Sequence, residues 1–472
     1  MQQLSGVDAS FLYFETPKAP GHVFSLWVYD QTTAPGGKVT HKQILEHIDS
    51  RLHVSRTFRQ KLVQVPLGLD HPYWMDDPDF DLEFHVRHIA LPSPGDWRQL
   101  CILVARLHSR GLDLSRPLWE MYVIEGLDSV EGLPPGSFAV MQKTHHAAVD
   151  GVTLLEITSA IHDREADAAV SEPPPARPPE PVPSQWAILG RALANTAARP
   201  MRYAGAVARS VPPGIRLQRQ VAGGELEVPD MSPAPRTRFS GIVSGHRVFE
   251  GRRFDLDAIK RIKGAVEGAT VNDAAIAIVG GALREYLSGK GELPDEPLRV
   301  MVPISIRTED QAGTAGNQVS VMVASSGSNI ADPHQRLTAV RDSTRQSKAF
   351  AEAIDARSLA EFSEFLPGGL AALSARTASQ FEMATQANPI INTVVSNVPG
   401  PQVPLYLAGA RLVTLFGGAA VVDGMGLLHG VTSYCGQLMI SVISDREMMP
   451  DPATYAQCLD DSFAAMMVAA GA

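Results

Sequence analysis

Cysteine is scarce: Cys101, Cys435 and Cys458 are the only three in 472 residues. Their odd number and wide spacing exclude a disulfide framework and give no zinc-ligand pattern, which points to a reducing compartment. Positive charge is also in deficit, with 41 Lys and Arg against 51 Asp and Glu and a net charge of −10. Phosphate backbones would repel such a surface, so broad binding to nucleic acid is excluded as a function. No uninterrupted apolar run reaches the roughly 18 residues that a spanning helix needs. The opening MQQLSGVDASFLYFE lacks a cationic start with an apolar run behind it, so no secretory signal is read. The expected location is the cytoplasm, with attachment to a membrane surface left open. Aromatics make up 6% and charged residues 19%, yet 44% of the chain is hydrophobic, which suits a globular protein and not a mostly disordered one. At about 100–200 residues per domain, the length predicts two or three domains.

Proline, by contrast, is concentrated. SEPPPARPPEPVPS, residues 171–184, allows neither helix nor central strand and reads as an extended spacer. The helix-prone stretch behind it is interrupted by Pro200 and ended by Pro212 and Pro213, and alternating apolar and polar residues resume near Gly245. The chain therefore divides into a first domain over 1–170, a Pro-rich and basic helical linker over 171–240, and a second domain over 241–472. In the first half SFAVMQKT reads as a strand and VTLLEITSAIH as an amphipathic helix. In the second, LRVMVPISIR and INTVVSNVPGP read as buried strands, and ATVNDAAIAIVGGALREYL as a helix capped by Thr270 and Asp273. Helices and strands alternate in both halves, so the fold class is α/β.

Between that first strand and helix lies KTHHAAVDG, residues 143–151. A strand end is a place where a scaffold holds side chains rigidly over a cleft, and Gly151 permits a tight entry into the helix. His146 and Asp150 supply at most two metal ligands and no matching cluster stands elsewhere, so no metal is expected. Histidine suits a general base near neutral pH. The chain has no G-x-S-x-G elbow and no cysteine beside the pair, so a protein nucleophile is not indicated. Direct transfer remains, with histidine activating a substrate hydroxyl or amine.

The ordered set LSGVDASFL, DPDFDLEFHVRHIALPSPG, RPLWEMYVIEGL, KTHHAAVDG, TVNDAAIAIVGGALREYL, VPISIR, SNVPGP and SYCGQL resembles the bacterial wax ester synthase/acyl-CoA:diacylglycerol acyltransferase family over nearly the whole chain. HHxxxDG alone is less specific, because peptide condensation domains share it. The resemblance implies two chloramphenicol-acetyltransferase-like, CoA-dependent acyltransferase domains with a channel between them. It also implies an acyl-CoA:alcohol O-acyltransferase that makes triacylglycerol from diacylglycerol, wax ester from fatty alcohol, or both, with acyl-CoA as substrate and no cofactor. Two alternatives stay open: a related acyltransferase with a polyketide or amine acceptor, and a non-catalytic lipid-binding protein.

By that resemblance His146 is the base, and His145 shapes the loop or contacts the acceptor. Asp150 is expected to lock the loop by a buried ion pair, with Arg307 as the candidate partner. Asn272, at a helix N-terminus, is either a donor to the oxyanion or an ordinary cap residue, and Asp273 is expected to cap. Pro117, Leu118 and Trp119 match the family's PLW motif and fit a core cluster as well as a channel wall. Ser396, Asn397, Pro399 and Gly400 fit the channel from the second domain or a tight turn. The sequence departs from the family's pattern at Phe24, where a glycine is common, and over LFGGAAVVDGMG with its Asp423. Both departures bear on chain length or acceptor.

From Pro181 to Gly224 there is no Asp or Glu, whereas Arg191, Arg199, Arg202, Arg209, Arg216 and Arg219 alternate with Trp186, Ile188, Leu189, Leu193, Met201 and Tyr203. This segment is either an interfacial element for a membrane or lipid-droplet surface or an interdomain connector.

Overall fold

The computed structural model describes residues 2–149, 151–168, 183–230, 232–305, 319–353 and 388–471. The first half runs through β1 (Gln2–Gln3), α1 (Gly6–Phe14), β2 (His22–Asp30), α2 (His41–Asp49), β3 (Gln60–Val63), β4 (Tyr73–Asp76), α3 (Leu82–His85), β5 (Val86–Ala90), α4 (Trp97–His108), β6 (Trp119–Leu127), β7 (Ser137–His145) and α5 (Gly151–Ile161). After α6 (Gln185–Ala222) come β8 (Arg247–Asp255), α7 (Leu256–Gly264), α8 (Val271–Gly289), β9 (Arg299–Ser305), β10 (Val319–Ser325) and α9 (Pro333–Ala353). The last elements are β11 (Thr393–Pro399), β12 (Tyr406–Leu407), β13 (Ala410–Gly418), β14 (Leu427–Tyr434), β15 (Gln437–Asp445) and α10 (Pro452–Ala469).

Two six-stranded sheets carry the molecule, in the orders β12-β13-β2-β7-β6-β5 and β10-β9-β11-β14-β15-β8, with a small β1-β4-β3 sheet beside the first. Every residue of β7 is buried, as its apolar run requires of a central strand. α4 starts with a capping box between Asp96 and Gln99 and buries Leu100, Val104 and Leu107, one stripe at helical spacing. α8 begins on the expected box of Thr270 and Asp273 and is buried along most of its length.

Strands β12 and β13 belong to the later half of the sequence, yet β13 pairs antiparallel with β2 from Arg411 opposite Asp30 to Gly418 opposite Phe24. The division at residue 241 therefore does not hold for the first sheet, which borrows its edge from the C-terminal part. β13 also lies against the second sheet: Thr432 Oγ1 donates to Leu415 O at 3.0 Å, and Ser441 Oγ donates to Gly417 O. A Cβ at position 430 would stand 2.1 Å from Gly417 O, so only glycine lets the two strands cross there.

The second sheet is open along one seam. β11 pairs with β14 over six residues, but among the described residues it pairs with β9 only at Thr393–Val300 and Val394–Met301, so Val395 to Pro399 have no ladder partner there on that side.

Helix α6 runs unbroken through Pro200, Pro212 and Pro213 to Ala222, longer than the prolines led us to expect. Its first turns dock on the 65–73 segment: Ile188 and Ala192 are fully buried with Val65 and Tyr73. Asn195 Nδ2 and Arg199 Nη2 reach the two oxygens of Asp70 at 2.8 and 2.9 Å. Trp186, Leu193, Val211 and Ile215 are exposed. At 3.6 residues per turn they fall within about 40° of one another, roughly 145° from the docked stripe. Among the described residues no helix is long and apolar enough to cross a membrane.

Candidate active site

The histidine pair leaves β7 at the point where three segments converge. His145 N–H donates to Leu118 O and His146 N–H to Gly21 O, both at 2.9 Å, so the loop is pinned between β6 and the start of β2. The His145 ring is fully buried. Its Nδ1 accepts the Ala147 N–H at 3.0 Å, which fixes the ring proton on Nε2, and Nε2 lies 3.2 Å from Glu15 Oε2. Both nitrogens of His145 are thereby engaged, and the ring holds the loop's shape. Gly21 makes this possible, because a Cβ there would stand 3.0 Å from His145 Nε2 and from Phe11 O. His146 is half-buried and stacks on Phe11, ring centroids 3.9 Å apart and planes nearly parallel at 8°.

Antiparallel pairing places His22 opposite His145 and Phe24 opposite Lys143. Lys143 is fully buried; its Nζ donates to Arg110 O at 2.6 Å and sits 3.9 Å from Glu120 Oε2. Burial pushes its pKa down to about 8 although Glu120 draws it up. His22 packs edge-on against His108 at 4.8 Å, and neither of its buried ring nitrogens has a hydrogen-bond partner among the described residues. Burial, reinforced by the Lys143 cation, holds both rings neutral, His22 well below its ordinary pKa and His108 at about 3. A buried polar cluster thus backs the loop.

On the second domain, Asn272 in the first turn of α8 accepts from Asn397 Nδ2 at 3.2 Å. That contact leaves its own amide NH2 without a partner among the described residues, at a helix end where backbone dipoles favour negative charge. Asn397 and Ser396 lie on β11, where the strand has parted from β9. Asp273 caps α8, taking Thr270 N–H and Oγ1 at 2.7 and 2.8 Å, and its other oxygen takes Thr344 Oγ1 at 2.6 Å.

Residues 4–275 match the wax ester synthase/diacylglycerol acyltransferase catalytic domain and residues 315–467 the WS/DGAT C-terminal domain. The chain belongs to the wax ester synthase/diacylglycerol acyltransferase family. It is an acyl-CoA-dependent O-acyltransferase. The Mycobacterium tuberculosis protein Rv1760, which bears the name of a diacylglycerol O-acyltransferase, is 34% identical over 96% of this chain and 87% of its own. A second from the same species, tgs2, is 33% identical over 94% of each. The wax ester synthase/diacylglycerol acyltransferase of Marinobacter aquaeolei VT8 superposes over the full length of both chains with a TM-score of 0.69 at 26% identity. The first condensation domain of the CDA synthetase shares the two-domain acyltransferase fold alone, with a TM-score of 0.56 at 13% identity over 100% of this chain and 95% of its own.

Within this family member the expected residues fall into two groups. His145, His146 and Leu118 assemble around α1, whereas Asn272, Asn397 and Ser396 assemble at the open seam. Among the described residues no hydrogen bond joins the two groups. Trp119 is core: its Nε1 donates to Phe58 O at 3.0 Å and its ring stacks on His85. Pro117 and Leu118 are buried too, Leu118 in the small cluster under Ala147. Phe24 is 1% exposed and fills the junction between His108 and Phe249. Pro399 ends β11, and a Cβ at Gly400 would stand 2.3 Å from Ser433 O. Asp423 Oδ1 accepts Val243 N–H at 2.9 Å and so fastens the segment after β13. Gly151 opens α5, but Asp150 and Arg307 lie outside the described residues, and so does their expected ion pair. Sequence reasoning missed Glu15, Gly21, His22, His108 and Lys143. Of these only Lys143 carried a local signal, a charge inside an apolar strand.

Proposed function

We propose that the chain transfers a long-chain acyl group from acyl-CoA to the hydroxyl of diacylglycerol, and of fatty alcohols, with His146 as general base. The observation that carries this reading is the bonding of His145, which withdraws it from proton transfer and leaves the role to its neighbour. His146 takes the hydroxyl proton as the alcohol oxygen attacks the thioester carbonyl. The tetrahedral oxyanion forms beside the Asn272 amide. As it collapses, the C–S bond breaks, the ester forms, and the departing CoA sulfur receives the proton from His146. A positioned base contributes about 10²–10⁴-fold. The diacylglycerol names of the mycobacterial relatives favour that acceptor.

The substrates are insoluble in water, and α6 supports a way to reach them. Its outward stripe of Trp186, Leu193, Val211 and Ile215 suits the interface of a membrane or lipid droplet. The deciding experiment offers purified protein labelled palmitoyl-CoA with diacylglycerol or hexadecanol and resolves the lipid products. Labelled triacylglycerol exceeding wax ester is expected; ester formation with neither acceptor overturns the reading.

A further inference from the structure

A cavity of about 450 Å³ opens between the two domains, far from the histidine loop. One wall is Val28, which lies on the same face of β2 as His22 and six positions along it, about 20 Å at 3.3 Å per residue. The other wall is β8, the edge strand of the second sheet, with β14 and β15 between it and β11 at the open seam. The cavity therefore belongs neither to the loop nor to the seam.

Its walls are built and held. Trp97 of α4 and Phe416 of β13 line it, packed against each other with ring centroids 5.4 Å apart and planes tilted by 49°, and Leu133 adds to the apolar side. Glu250 ties the domains together there: one of its oxygens takes Trp97 Nε1, Gly251 N–H at 3.0 Å and Arg252 Nη1 at 3.2 Å. Two polar groups stand apart from this network. A bulge shifts the register of β13 against β2 between Leu412 and Thr414, the kind of irregularity that re-aims a side chain. Thr414 lines the cavity, is 3% exposed, and its hydroxyl has no hydrogen-bond partner among the described residues. Buried hydroxyls are seldom left so. Arg253, at the mouth, has no acidic partner within 4 Å among the described residues, whereas Arg252 is held by Glu250 and Asp460. Glu131 also lines the cavity, beyond ion-pair distance of Arg253.

We propose that this cavity is a second ligand site that takes a small aromatic carboxylate, its ring against Trp97 and Phe416, its acid group on Arg253, and the Thr414 hydroxyl completing the polar contacts. The volume lies within the range of small-molecule sites, and a guanidinium over an apolar pocket selects a carboxylate on a flat, hydrophobic body. Because the walls come from both domains, an occupant clamps them together.

Isothermal titration calorimetry with 2-naphthoate as probe tests the site on the full chain. One saturable site is expected, unaffected by coenzyme A. Arg253→Gln, a change at an exposed side chain, and the uncharged analogue 2-naphthamide should each weaken binding about tenfold or more. Thr414→Val should weaken it several-fold, and Leu133→Trp, which fills the cavity, should abolish it. Acyl transfer should be unchanged in Arg253→Gln. Absence of binding at millimolar probe, equal affinity for 2-naphthamide, undiminished affinity in Arg253→Gln, or competition by coenzyme A overturns the proposal.

Discussion

Glu15 Oε2 lies 3.2 Å from His145 Nε2, on the side of the ring opposite the Ala147 N–H that Nδ1 accepts. A carboxylate at the end of α1 thus orients a histidine at the end of β7, and the two adjacent histidines acquire different duties. His146→Ala should lower kcat by about 10²–10⁴-fold with the fold intact. His145→Ala should lose far less activity and more stability. Glu15→Ala strands a buried N–H, which destabilises by about 1–3 kcal/mol, while Glu15→Gln retains an acceptor and most activity. Steady-state kinetics and urea unfolding read these together, and equal kcat losses at both histidines would refute the division.

Asn272 and Asn397 divide in the same way. If the Asn272 amide meets the oxyanion, Asn272→Ala should reduce kcat by about 10²–10³-fold with little change in KM. Asn397→Ala removes only the tether and should have a smaller effect. A change confined to KM in Asn272→Ala would move the residue from transition-state stabilisation to substrate binding.

The outward stripe of α6 is separable from its docked face. Replacing Leu193, Val211 and Ile215 with serine should weaken co-sedimentation with anionic vesicles and slow transfer to diacylglycerol presented in membranes. It should leave the melting temperature and transfer to a short soluble alcohol unchanged, because these side chains are exposed. Vesicle binding equal to wild type would make α6 a connector between domains.

Acid should unfold the protein through its buried neutral histidines. His162 Nδ1 donates to Thr158 O at 2.5 Å, so Nε2 accepts from Tyr29 OH at 2.6 Å and has no room for a second proton. Burial lowers its pKa to about 4, and that of His429, between Thr393 and Tyr455, to about 3. The unfolded chain takes up these protons first, near pH 6.5. Stability is therefore full above pH 6.5 and falls as pH drops toward 4 and 3, by up to about 1.4 kcal/mol per pH unit for each ring. Urea midpoints between pH 7.5 and 5 should show the decline, and His429→Gln should flatten it. An unchanged slope in that variant would sink the assignment.

What the sequence disclosed was local. The strand-loop-helix around the histidines and the Thr270–Asp273 cap are written in neighbouring residues, through apolar runs and capping chemistry, and both stand in the structure. Helix α6 outran its reading because a proline removes one N–H and crowds one carbonyl, and where the helix stands in solvent beyond Arg199 water meets the freed groups. Glu15, His22, His108 and Lys143 escaped notice because only the pairing of β2 with β7 and the packing of α4 bring them together. No spacing in the chain announces that meeting.

The borrowed edge of the first sheet has a consequence for how the protein is made. Arg411 N–H bonds Thr33 Oγ1 across 378 positions of sequence. At about 5–20 residues per second, a ribosome needs roughly 20–75 seconds to travel from one to the other. Throughout that interval the outer rim of β2 stands with its peptide groups unpaired, a template for any passing strand. A fragment cut at the linker would keep that rim for good, so residues 1–240 expressed alone should aggregate, and supplying the remainder in the same cell should rescue them.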